Sequence, residues 1–393
     1  PMLAEAYYYR ALNLDSLGRT KQALKDLDKA IELRPQYPQA LRSRGTILHR
    51  IGNVRLAIKD FGRASRQDPW DFSVFFLRGL AYKDLGEKKQ AIVDFTRALE
   101  LRPKYADAYF HRGLVYFSMD EFKAAIADFD RVIKLNPRMI DAYLNRAHAY
   151  ERLGDADNAA KDYDSVLNLN PEYKEAYYKR GIFCQSINDL EAAVRYFDKA
   201  VELDSGFTEA YYKRGMCLYK MGDMERAKDD FSKVIEQDKG FFDAYYQRGT
   251  IYVYQDRPDM AILDFTRTIE LSPMYAWAYY NRGLAYLKLG NLESAILDLK
   301  KTTSLNPGYM WAYYNLGIIH AERGDYDKAI EEFTRVIELN PAYIEAYHRR
   351  GMAYLETDSF EKAIEDFTRV IELNPQHVDA YFNRGRAHGR LGN

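Results

Sequence analysis

Residues Phe72 to Tyr105 read FSVFFLRGLAYKDLGEKKQAIVDFTRALELRPKY, and the rest of the chain varies on this stretch of 34 residues. With slots counted from Phe72, apolar residues recur at helical spacing over slots 3 to 13 and again over slots 17 to 30. Gly86 at slot 15 separates the two runs, and Pro103 at slot 32 closes the second. The pattern predicts two short amphipathic helices, A and B, joined by a tight turn. A lone hairpin of this kind cannot bury its apolar faces, so it must stack on a neighbour of the same kind.

Steps of 34 residues from Gly79 give slot 8 as Ala11, Gly45, Gly79, Gly113 and Ala147, then Gly from Gly181 to Gly385. Slot 20 is Ala in all eleven copies, from Ala23 to Ala363. Minimal side chains at both slots imply two helices crossing closely. Slot 15 holds only Gly, Asp or Asn, the residue types that tolerate the left-handed backbone ending a helix. Slot 32 is Pro in nine of eleven copies, Ser205 and Lys239 being the exceptions.

This pattern resembles the tetratricopeptide repeat family. The family's aromatic slot 4 is met by Tyr7, Phe75, Tyr109 and Tyr143, and its aromatic slot 24 by Phe61, Phe129 and Phe231. The resemblance implies an all-α fold: a solenoid of antiparallel helix pairs wound as a right-handed superhelix. We expect one solenoid over 1–393, with eleven full repeats in 4–377 and helix A of a twelfth in 378–393. Pro1 stands at slot 32 and Asn393 at slot 16, so the sequence reads as a fragment of a longer array.

The net charge of −1 leaves no electrostatic footprint for nucleic acid or an anionic membrane. No apolar run is long enough to span a bilayer, and no signal-peptide pattern occurs. Cys184 and Cys217 read as reduced core thiols, and no Asn-x-Ser/Thr sequon is present, which favours a cytoplasmic location. The seven histidines occupy scattered slots with no metal-ligand spacing, and no HExxH, CxxC or phosphate loop appears. No catalytic constellation can be nominated, and neither metal nor cofactor is expected.

The informative surface lies on helix A. Slots 2, 5, 6, 9, 12 and 13 share one face, which in the family lines the concave groove where ligands bind. Slot 5 is Tyr178, Tyr212, Tyr246, Tyr280 and Tyr314 in five consecutive repeats. Slot 2 is acidic in eight repeats but is Trp277 and Trp311 in two neighbours, where slot 6 is Asn281 and Asn315. Rigid aromatics and amides suit recognition of a protein segment, although the tyrosines also suit packing between A helices. Asn145 and Asn383, also at slot 6, are similar to the asparagine ladder of some long family members. The family's carboxylate clamp needs Lys at slot 5 and Asn at slot 9, and no repeat has either. Lys179 and Lys213 read as i,i+4 partners of Glu175 and Glu209.

Slot 7 departs from the family, being Arg in eleven of twelve copies, with Leu316 the exception. Slot 23 is Asp in nine copies and Glu332 in another, with Tyr196 the exception. Because the flank of slot 23 faces the next repeat in the family, we expect each acid to pair with the following repeat's arginine, from Asp26–Arg44 and Asp60–Arg78 through Asp366–Arg384. On that scheme Arg214 and Asp298 lack mates. The favoured function is a non-enzymatic scaffold binding protein or peptide segments in the groove. The alternatives are the recognition arm of a larger enzyme, such as a glycosyltransferase, and an array that self-associates through its terminal repeats.

Overall fold

The computed structural model describes residues 2–392, which hold 23 helices and no strand. They alternate as A and B helices from α1 (Met2–Ser16) to α23 (Val378–Leu391). The chain divides into two compact units, Pro1–Leu203 and Asp204–Asn393. In both, each helix A packs on its own helix B, and each B helix packs on the next A helix of its unit. The division falls at the end of helix B of the sixth repeat, at the junction where Ser205 replaces the usual proline.

The hairpin of α5 (Phe72–Asp84) and α6 (Lys88–Leu101) shows why the small slots are small. A Cβ on Gly79 would lie 2.7 Å from Cε1 of Phe95, well inside contact distance. The same clash recurs at Gly45 with Phe61 and at Gly317 with Phe333. Ala11 and Ala147 face Leu27 and Tyr163 instead of phenylalanine. All eleven slot-20 alanines are fully buried. Slot 15 adopts positive φ in every copy, including the non-glycine residues Asp120, Asn188, Asp256 and Asp358. After helix B, Tyr105 N donates to Arg102 O at 3.1 Å, closing a turn around Pro103. Where proline is absent the same turn persists. Phe207 N donates to Asp204 O, and the Asp204 side chain accepts from Gly206 N at 2.8 Å.

The arginine ladder exists, but its partners are not those expected from sequence. Arg78 Nε and Nη2 donate to Asp94 at 2.6 and 2.7 Å, a two-pronged fork within one repeat. The same fork joins Arg10 to Asp26, Arg44 to Asp60, Arg248 to Asp264 and Arg350 to Asp366. Arg214 and Asp298, expected to lack mates, pair with Asp230 and Arg282 of their own repeats. Slots 7 and 23 flank the 8–24 contact of one hairpin, so they meet there: a Cβ on Gly249 would lie 3.2 Å from Asp264 Cβ.

The reach to the preceding repeat is made by the third guanidinium nitrogen and falls on slot 25. Arg112 Nη1 donates to Thr96 Oγ1 at 2.9 Å, Arg282 to Thr266 at 3.0 Å and Arg44 to Asp28 at 2.7 Å. Gly62 has no side chain at this slot, and Ser65 one turn later accepts from Arg78 at 3.1 Å. Most of these guanidiniums also lie over the slot-4 ring of their own helix, as Arg112 does over Tyr109 at 5.5 Å, whereas Arg44 has Leu41 at that slot. The acid holds the arginine above its ordinary pKa, the hydrogen bond that Arg78 donates to Asp94 being the largest cause.

Two repeats break the ladder. Arg180 has Tyr196 where its acid would be and stacks over that ring at 5.0 Å, with Asp164 at 3.4 Å on its Nε. Glu332 faces Leu316 instead of an arginine, and burial pushes its carboxyl up to about 7. The positive charge that acts against this shift is that of Lys300, at slot 25 of the preceding repeat.

Candidate functional site

The A-helix face carrying the two tryptophans lies in the second unit, on α17 (Ala276–Lys288) and α19 (Met310–Glu322). Trp277 and Trp311 are 45% and 42% exposed, far more than a core tryptophan. Each indole rests against an aromatic that the A-helix pattern does not include. The ring of Trp277 lies 4.7 Å from Tyr309, and that of Trp311 lies 5.6 Å from Tyr343. These tyrosines occupy slot 34, the N-cap position of the next helix A, so the start of one helix props the indole of the one before.

The slot-5 tyrosines are half-buried wedges. Tyr246 lies 5.8 Å from Phe265 of its own helix B and 5.1 Å from Tyr275 at slot 34. Tyr212 packs in the same way between Phe231 and Phe241, and Tyr314 between Phe333 and Tyr343. Tyr280 meets Tyr309 at 4.8 Å. Tyr178, in the first unit, lies 5.9 Å from Phe197. Burial raises the phenol of Tyr246 and pushes that of Tyr212 up to about 12, so these hydroxyls stay neutral.

The hydroxyl ends reach the next helix A. Asn281 Nδ2 donates to Tyr246 Oη at 2.9 Å, and Asn315 Nδ2 lies 3.4 Å from Tyr280 Oη. Asn315 Nδ2 also donates to Trp311 O at 2.7 Å, on its own helix. The amide nitrogens therefore tie repeat to repeat, and the Oδ1 atoms are left as acceptors on the face. The other slot-6 asparagines turn elsewhere: Asn145 to Asp141 O at 2.7 Å, and Asn383, buried, to Arg386 at 3.2 Å. Among the described residues, Lys179 and Lys213 form no ion pair with Glu175 and Glu209. The i,i+4 pair does form at Arg349 and Glu345, 2.8 Å apart.

The helix-hairpin register is matched by known family patterns along most of the chain. The pattern described as tetratricopeptide repeat matches residues 106–139, 208–241, 276–309, 311–343 and 344–377. Further patterns of the same repeat match 4–37, 79–120, 144–206 and 249–290. The chain belongs to the tetratricopeptide repeat family.

Several solved tetratricopeptide proteins are similar to it. YrrB, described as a TPR protein with an unusual peptide-binding site, is 28% identical over 47% of this chain and 95% of its own, with a TM-score of 0.41. MamA from Desulfovibrio magneticus RS-1 is 28% identical over 43% of this chain and 96% of its own, with a TM-score of 0.42. Yeast Tom70 is 16% identical over 99% of this chain and 95% of its own, with a TM-score of 0.38. No curated protein sequence matches the chain. Among the described residues, no helix is long and apolar enough to cross a membrane.

Sequence reasoning singled out the tryptophans and the slot-5 tyrosines but missed the aromatics that pack against them at slot 34. The signal was legible, since Tyr, Phe or His stands at slot 34 in nine of eleven repeats. It also missed one convergence. In the eleventh repeat, slots 2, 5 and 34 hold Glu345, His348 and His377, and their ligand atoms all lie within 4.8 Å of one another. Scattered slots hid this, because slot 34 of one turn folds back onto slots 2 and 5 of its own repeat. Cys184 and Cys217 are buried and form no disulfide, as expected.

Proposed function

We propose that this chain is a non-enzymatic scaffold that binds an extended protein segment across the A-helix face of its second unit. The observation that supports the reading most is the pair of half-exposed indoles, Trp277 and Trp311, at a slot that is otherwise mostly acidic. Their backing by Tyr309 and Tyr343 fixes them before a ligand arrives. Prefixed aromatics lose little freedom on binding and are the usual anchors of protein recognition. The Oδ1 atoms of Asn281 and Asn315 add acceptors suited to a ligand's backbone N–H groups. Tyr280 and Tyr314 shape the floor between the indoles, Tyr246 and Tyr212 extend it in the same unit, and Tyr178 belongs to the corresponding face of the first unit.

The unbroken register over 4–377 supports a single functional array, and a cytoplasmic setting fits two buried cysteines that form no disulfide. The test is selection of peptides from a displayed random library on the intact chain, with Trp277→Ala/Trp311→Ala as the counter-selected form. Peptides retained by the native chain and lost by the variant support the reading. A library that enriches nothing, or enriches equally on both forms, overturns it.

A further inference from the structure

We propose that Glu345, His348 and His377 form a binding site for a divalent transition-metal ion, zinc foremost, independent of the peptide-binding reading. The three residues come from the two ends of the eleventh repeat. Glu345 and His348 stand three residues apart on α21 (Ile344–Glu356), and His377 is the N-cap of α23. Their ligand atoms lie within 4.8 Å of one another, and the two imidazole centroids are 5.0 Å apart. A tetrahedral zinc ion with arms of about 2.0–2.1 Å sets its ligands about 3.3 Å apart. Side-chain rotation of about an ångström closes the cluster.

Packing alone does not call for histidine here. In the two preceding repeats the same slots hold Trp277, Tyr280 and Tyr309, then Trp311, Tyr314 and Tyr343. Those apolar rings fill the position well, at centroid separations of 4.8 and 5.5 Å for the tyrosine pairs. The imidazole of His348 instead leaves Nε2 buried with no hydrogen-bond partner. An orphaned buried nitrogen is costly unless something binds it. A lone pair beside a second imidazole and a carboxylate is the donor set of a two-His, one-Glu zinc site, with a fourth position left for water. Imidazole and carboxylate donors together also favour zinc, copper or nickel over calcium or magnesium.

Binding must accommodate two existing contacts. Glu345 Oε1 accepts from Arg349 Nε at 2.8 Å, which leaves Oε2 as the oxygen for the ion. His377 Nδ1 accepts from Ala380 N at 3.2 Å. A neutral imidazole has one lone pair, so ligation either takes Nδ1 directly or moves the ring proton onto Nδ1 and binds through Nε2. In both cases the cap bond to Ala380 is given up.

The test is calorimetric titration of the chelator-stripped intact chain with zinc chloride, with cobalt(II) absorption as a second readout of tetrahedral ligation. The expected result is one ion per chain with Kd near about 1 µM or tighter. His348→Tyr/His377→Tyr recreates the tyrosine pair of the neighbouring repeats and should fold, with at least about a 30-fold loss of affinity. His377→Asn keeps a capping side chain while removing the imidazole, and Glu345→Gln removes the carboxylate. Each should weaken binding by about 10-fold or more. Binding weaker than about 100 µM, or unchanged stoichiometry and affinity in these variants, overturns the proposal.

Discussion

A guanidinium forked onto its own repeat's aspartate and tethered to its neighbour's slot 25 is the residue-scale unit of this fold. Asp94 is almost wholly shielded and Arg78 largely so, with side-chain exposures of 4% and 19%. Asp94→Ala should therefore cost about 3 kcal/mol in urea unfolding, because it strands the arginine. Arg78→Leu/Asp94→Leu should cost distinctly less. A double variant as destabilised as the single one would contradict this. Glu332 offers a second check. Its folded pKa of about 7 lies above the ordinary value of 4.5. Between these values the native state holds more protons than the unfolded state, so stability falls as pH rises through the window. Comparison of native and Glu332→Gln chains across that window should show a relative loss of about 1 kcal/mol in the native chain, after solvent screening. Parallel curves would show that Glu332 has a partner in solution. The existence of a ladder was legible from Arg and Asp recurring at fixed slots. Its connectivity was not, because helical spacing gives a flank and not a distance. The deciding feature is that Gly at slot 8 draws both flanks of one hairpin together. The slot-25 tether was visible as Asp, Ser or Thr in nine of eleven copies, but such residues on a helix surface ordinarily face water.

At the scale of the element, most hairpins depend on one phenylalanine ring filling the space that a glycine leaves. Gly79→Ala improves helix propensity by up to about 1 kcal/mol, yet places its Cβ 2.7 Å from Phe95 Cε1. The clash should win, for a net loss of about 1–2 kcal/mol by thermal or urea unfolding. Adding Phe95→Leu should recover part of it, since Ala11 already faces Leu27 in the first repeat. A stabilised Gly79→Ala chain would show that the helices separate freely. The turn at slot 15 makes an independent case. Asn188 holds φ at 62°, a conformation in which glycine carries no steric penalty. Asn188→Gly should raise stability by a few tenths to about 1 kcal/mol, read as an increase in the thermal midpoint. These features were the most legible in sequence. Minimal side chains at slots 8 and 20, and left-handed formers at slot 15, each have one steric cause. The aromatic at slot 34 was harder to see, because it lies outside both helices as a sequence pattern and joins the face only once the turn is built.

Over the whole molecule, the repeats trade regularity for local chemistry. Core slots barely change along the chain, whereas slot 2 moves from Asp243 to tryptophan and back to Glu345 within four repeats. In a repeat protein each hairpin contacts only its neighbours, so one repeat can alter its exposed face without disturbing the packing of distant ones. That is why fold and family were readable throughout, while the site could be read only as a departure from the repeat. The departure at Trp277 and Trp311 carries the functional reading, and the most direct measurement is a fluorescence titration of a selected peptide. The native chain, Trp277→Ala/Trp311→Ala, and Trp70→Ala, which removes a 76%-exposed tryptophan in a turn of the first unit, are compared with a labelled ligand. The account predicts that the double variant weakens Kd by about 30-fold or more, equivalent to about 2 kcal/mol, while Trp70→Ala binds as the native chain does. Equal affinity for the native chain and the double variant would contradict it.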